Sequence, residues 1–112
     1  MNRILKINND GKLKLVTDKV IPANTYERYY LTFEIDEAFA DYSVEKKVYF
    51  QYFESPILTE LMDSENQVEV PKEVIATPAF KVFVILKRVD GARLQTNVIS
   101  IPCNFTPRKI QI

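Results

Sequence analysis

Residues 67–102 read QVEVPKEVIATPAFKVFVILKRVDGARLQTNVISIP, and this stretch decides the fold. It opens on a short strand over 67–70, with Val68 and Val70 on one face. Pro71 suits the first position of a short helical turn near 71–75, because its missing N–H would have no intrahelical partner there. Thr77-Pro78 closes that turn, since the residue before a proline is pushed out of the α region. From Ala79 to Val89 the chain is apolar on both faces. Phe80, Val82, Val84 and Leu86 fall on one, Phe83 and Ile85 on the other. Such a strand is central in its sheet or covered by another layer. Asp90-Gly91 is a hairpin turn, and residues 93–101 read as the partner strand. Pro102 limits the pairing that follows.

Upstream the same two-residue period recurs. Residues 3–8 suit a short strand, Asn8-Asn9-Asp10-Gly11 a turn, and residues 12–16 a second strand with Leu13 and Leu15 on one face. Pro22-Ala23-Asn24 breaks the connection that follows. Residues 26–36 alternate cleanly, with Tyr29, Leu31, Phe33 and Ile35 opposite Arg28, Tyr30, Thr32 and Glu34. Residues 37–43 read as a helical turn or a loop. In residues 46–53, Val48, Phe50 and Tyr52 face inward and Lys47, Tyr49 and Gln51 outward. Residues 57–62 fit a strand or a helical turn. Some six to eight short strands with evenly spaced turns predict an all-β chain, an immunoglobulin-like antiparallel β-sandwich. Residues 1–112 form one sandwich domain in this reading, with 103–112 a last edge strand or a docking arm.

Composition narrows the functional classes. The 112 residues include two glycines, which excludes a glycine-rich phosphate cradle. Phe and Tyr are plentiful and Trp and His are absent, an aromatic balance that suits pleated, half-buried surfaces. The formal net charge is zero, so no general attraction to nucleic acid or to anionic membranes is expected. It also weakens self-repulsion, which permits association. No apolar run approaches the ~18 residues of a bilayer span, and the N-terminal apolar run is too short for a signal peptide.

Without histidine, Ser-His-Asp and Cys-His catalysis and His-based metal sites are excluded. The single cysteine, Cys103, can form neither an internal disulfide nor a thiolate cluster. Asp36, Glu37 and Asp41, Asp63 and Glu65, and Glu69 and Glu73 read as solvated loop acids. No pair of them is set in an apolar frame. The expectation is a protein with no enzymatic activity, no cofactor and no metal. A contact surface is expected instead, formed by the outward aromatics Tyr30, Tyr49 and Phe53 with Gln51, and by Phe105 and Ile110 of the tail. The same Tyr30, Tyr49 and Phe53 also suit stacking on sugar rings, with Glu34 and Gln51 bonding to hydroxyls.

From Val68 onward the pattern resembles a known family. The residues are Val68-Glu69-Val70-Pro71, Pro71-Lys72-Glu73-Val74 with Ala76, Phe80-Lys81-Val82-Phe83-Val84, Asp90-Gly91-Ala92-Arg93, and above all Thr96-Asn97-Val98-Ile99-Ser100-Ile101-Pro102. They resemble the sandwich-like N-terminal domains of tail and baseplate proteins in phages of Gram-positive hosts, such as upper baseplate proteins. The earlier strand 48–53 falls where such domains carry a strand with an apolar face. Pro78-Ala79 stands where those domains usually have a glycine. The resemblance implies a non-catalytic virion structural protein, made in the host cytoplasm, that docks in symmetric copies on other tail or baseplate proteins. The alternative is a carbohydrate-binding module for host cell-wall saccharide.

Overall fold

The computed structural model describes residues 2–16, 30–52, 57–71, 74 and 79–102. Nine strands run through them: β1 (Asn2–Ile7), β2 (Leu13–Leu15), β3 (Tyr30–Ile35), β4 (Glu45–Gln51), β5 (Leu58–Leu61), β6 (Gln67–Glu69), β7 (Ala79–Lys87), β8 (Arg93–Gln95) and β9 (Ile99–Pro102). They form two sheets. The first has the order β2-β1-β3-β6; the second has the order β5-β4-β7-β8, with β9 also paired to β7. The chain is the all-β sandwich that its alternation predicts. One pair, β1 with β3, runs parallel in register from Asn2↔Tyr30 to Ile7↔Ile35. Parallel neighbours need a connection of a dozen or more residues, and residues 17–29 lie within the chain that links β2 to β3.

Alternation dictates which side chains fill the space between the sheets. Leu5, Ile7, Leu31 and Phe33 come from the first sheet, and Val48, Phe50, Phe80, Val82, Val84 and Leu86 from the second. The Phe50 and Phe80 rings meet with centroids 5.9 Å apart. Arg3 is also enclosed, at 3% exposure. No buried side-chain nitrogen or oxygen among the described residues lacks a hydrogen-bond partner. As its two-sided hydrophobicity predicts, β7 is central: β4 lies on one side of it, β8 and β9 on the other. The ambiguous segments resolve as a 3₁₀ turn at Glu37–Phe39 and as strand β5. Of the helical turn near 71–75, Val74 N–H donates to Pro71 O at 3.0 Å and Val74 is fully buried; its other residues except Pro71 lie outside the described residues.

Three tight loops share one build: residues 8–12, 63–67 and 88–92. In each, the first residue's N–H donates to the fifth residue's C=O, and the fourth residue's N–H donates back to the first residue's C=O. The fourth residue must then take φ > 0. Gly11 (79°), Asn66 (59°) and Gly91 (90°) occupy that place. A Cβ on Gly11 would lie 2.9 Å from Leu94 Cδ1, so the β1–β2 loop of the first sheet abuts β8 of the second. The middle loop carries the chain from β5, at the margin of the second sheet, to β6, at the margin of the first. Lys46 Nζ braces it by donating to Asn66 Oδ1 at 2.6 Å.

The opposite margin is closed by a bulge. Thr96 N–H donates to Val84 O, while Ile99 pairs with Val82. Asn97 and Val98 therefore oppose the single residue Phe83. An extra residue re-aims the side chains at a bulge, and here it divides the single strand expected over 93–101 into β8 and β9. Thr96 Oγ1 turns inward, accepts from Val84 N–H at 3.0 Å and donates to Asn97 O at 3.0 Å. Asn97 reaches across to the first sheet: Oδ1 accepts from Leu13 N–H at 2.7 Å and Nδ2 donates to Leu13 O at 3.3 Å. One amide side chain thus stands in for a strand neighbour of β2. Asn97→Ala leaves both Leu13 groups without this partner, and an expected loss of about 1–3 kcal/mol in unfolding free energy follows. Urea melts of the two proteins read it directly.

Candidate interaction surface

The two outer faces of the sandwich differ in chemistry. On the first sheet, the parity of buried Leu5, Ile7, Leu31 and Phe33 turns Lys6, Lys14, Thr32 and Glu34 outward. Lys6 lies beside Lys14 on one side and Glu34 on the other, and Thr32 Oγ1 accepts from Gln67 Nε2 at 3.2 Å. The same parity also turns Ile4, Val16 and Tyr30 outward, so this face mixes charged, polar and apolar side chains. On the second sheet, the parity of Val48, Phe50, Val82 and Val84 turns Tyr49, Phe83 and Ile85 outward.

Tyr49 and Phe83 are cross-strand partners in β4 and β7. Their rings stack with centroids 4.6 Å apart and planes 2° from parallel. Val98 adjoins Phe83 through the bulge and is 52% exposed; Leu61 of β5 is 62% exposed and pairs with Lys47, which pairs in turn with Ile85. Together they make an apolar band across the second sheet. Cations frame it: Lys47, Lys81, Lys87 and Arg93, with Glu45 the one carboxylate on this face among the described residues. Glu45 lies 3.6 Å from Lys47 Nζ.

Of the residues that the sequence nominates for contact, Tyr49 and Gln51 lie together on this face of β4. Tyr30 lies on β3, outward on the other sheet, so it and Tyr49 do not form one patch. Glu34 is likewise on Tyr30's side, which separates it from Gln51. Phe53, Phe105 and Ile110 lie outside the described residues, as does the expected edge strand or arm over 103–112. Phe83, Ile85, Leu61 and Val98 are contact candidates that sequence reading alone does not nominate. The signal for Phe83 and Ile85 is the double-sided hydrophobicity of β7; their juxtaposition with Tyr49 depends on register.

The acids of the loops shape turns. Asp36 Oδ1 caps the 3₁₀ turn by accepting from Ala38 N–H at 2.9 Å. Asp63 Oδ1 accepts from Glu65 and Gln67 N–H, and Asp10 and Asp90 do the same work in their own loops. Asp41 and Asp90 lie 3.5 and 3.3 Å from the Arg88 guanidinium, which also sits 5.4 Å from the centre of the Tyr42 ring. The Arg88 pKa is raised above its ordinary value, first by a hydrogen bond with Tyr42 and then by Asp90 and Asp41. Arg88 therefore remains a fixed cation that ties the β3–β4 connection to the β7–β8 loop. Among the described residues, no group of three or more His, Cys, Asp or Glu residues is placed to hold a metal, and no helix is long and apolar enough to cross a membrane. Compared with protein-family models, curated proteins and solved structures, the chain matches none.

Proposed function

We propose that this protein is a non-catalytic assembly module that docks on other proteins through the outer face of its second sheet. The observation that carries this reading is the stacked Tyr49–Phe83 pair, set in an apolar band on the outer face of the second sheet. An aromatic centre with a charged frame is the composition of a protein-contact surface. The cationic frame suits a partner whose own apolar patch is rimmed by carboxylates. The resemblance of residues 68–102 to tail and baseplate domains supports a place in the virion, as an adaptor of the tail or baseplate.

A saccharide-binding role has one observation in its favour, the presence of Gln51 on the same face as Tyr49. Against it, Phe83 already covers one face of the Tyr49 ring, and Tyr30 and Glu34 belong to the opposite sheet. Mass spectrometry of gradient-purified particles decides the first reading: the chain is expected as a stoichiometric component, and its absence from intact particles would overturn the virion role. Titration with host cell-wall polysaccharide separates the second. Saturable binding that is lost on Tyr49→Ala would favour the saccharide.

A further inference from the structure

β5 is the margin of the second sheet, and its backbone groups can be assigned one by one. Met62 N–H donates to Lys46 O at 2.9 Å, which fixes Met62 and Lys46 as a hydrogen-bonded pair. Antiparallel ladders alternate, so Glu60 and Leu58 also turn their N–H and C=O toward β4, opposite Val48 and Phe50. Ile57, Thr59 and Leu61 turn theirs away from the sheet. Among the described residues these outward groups have no hydrogen-bond partner. The side chains of Thr59, Leu61 and Ile57 are exposed, Leu61 at 62% and Ile57 at 46%. The strand is short and carries one charge, Glu60, but no lysine, proline or bulge falls within residues 57–61. Such an edge is a template for another strand.

We propose that β5 pairs with β5 of a second copy of this chain, antiparallel about a two-fold axis through Thr59. The sequence of the strand selects that occupant. With Thr59 opposite the partner's Thr59, every outward-turned residue meets another: Leu61 faces the partner's Ile57, and Ile57 the partner's Leu61. The hydrogen-bonding parity is therefore satisfied throughout. Two exposed apolar side chains cover each other on the outer face, the cross-strand pairing that stabilises sheets. Glu60 falls opposite the partner's Leu58, so no like charges meet across the axis. A shift by one residue would turn bonding groups away from the partner. A shift of the axis to Glu60 would set two carboxylates face to face. The zero net charge of the chain leaves little long-range repulsion to oppose pairing.

Pairing joins the two second sheets edge to edge and places both Tyr49–Phe83 bands on one continuous surface. It deepens the assembly reading by naming the chain itself as one partner, yet it is tested on the pure protein alone. Sedimentation velocity over a concentration series is expected to show a reversible monomer–dimer equilibrium. Thr59→Lys places two ammonium groups directly across the axis and is expected to weaken dimerisation by about tenfold or more, equivalent to ~1.4 kcal/mol. Because Thr59 is exposed, the variant's melting temperature in dilute, monomeric solution is expected to match that of the parent. Gln95→Lys, at the far margin of the same face, is expected to leave the dimer intact. A monomer at every concentration overturns the proposal, as does a dimer that ignores Thr59→Lys or dissociates equally with Gln95→Lys. Those outcomes leave the docking face to stand or fall by its own test in particles.

Discussion

Truncation of Phe50 to alanine is expected to lower the unfolding free energy by about 3–5 kcal/mol. Phe50 is fully buried, meets the Phe80 ring, and comes from β4, which holds β7 along seven register positions from Glu45↔Lys87 to Gln51↔Lys81. The lost side chain leaves a void between sheets whose own hydrogen bonds oppose collapse. A domain of this size holds some 5–15 kcal/mol in total, so the variant is left close to its unfolding threshold. Urea denaturation is expected to show a lowered midpoint with an unchanged slope. An unaltered midpoint would mean that the two sheets do not share this core.

The neighbouring residue is expected to behave in the opposite way. Tyr49→Thr combined with Phe83→Thr removes the stacked pair from the outer face and keeps β-branched residues in both strands. The fold should lose only the aromatic pair, about 0.5–1.5 kcal/mol plus its partly buried area. The partner should lose far more. Aromatic anchors at the centre of an interface carry about 2 kcal/mol or more each, so the double variant is expected to bind more than about a hundredfold more weakly. Adjacent positions on one strand thus separate stability from the proposed docking, because alternation sends Phe50 inward and Tyr49 outward.

Local patterns made much of the sandwich legible in the sequence. The Asp-Gly pairs at 10–11 and 90–91 mark the two hairpin loops, and the two-sided apolar run of β7 marks the centre of the second sheet. The third loop reads as a polar turn over 63–66; what its sequence does not mark is the crossing between sheets, nor Asn66 in the left-handed position without a glycine. The parallel partnership of β1 and β3 depends on which edge the chain returns to after residue 29, and no local residue encodes that choice. The bulge at Asn97-Val98 is hidden for a similar reason: Thr96 and Asn97 read as ordinary strand residues until Val84 and Leu13 are brought beside them.

The proposed contact surface is half legible in the sequence. The outward parity of Tyr49 and Gln51 follows from the alternation of 46–53, whereas assigning Tyr30 to the same patch required knowing which sheet each strand joins. Phe83 shows the limit most clearly. Its outward direction is plain from the sequence, but its stacking on Tyr49 follows from the β4–β7 register, which is set by pairing between residues 34 positions apart.

The most direct test of the proposed docking face and virion role is competition between parent and variant chains for incorporation into particles. Equal amounts of the parent and of the Tyr49→Thr/Phe83→Thr variant are co-expressed during particle assembly, and their ratio in purified particles is measured by mass spectrometry. A Tyr30→Thr variant, altered on the opposite face, serves as the reference. Near-exclusive incorporation of the parent over the double variant, with Tyr30→Thr incorporated like the parent, is the expected result. Equal incorporation of the folded double variant, or selective exclusion of Tyr30→Thr, would contradict the assignment of the second sheet's outer face as the surface through which this protein assembles.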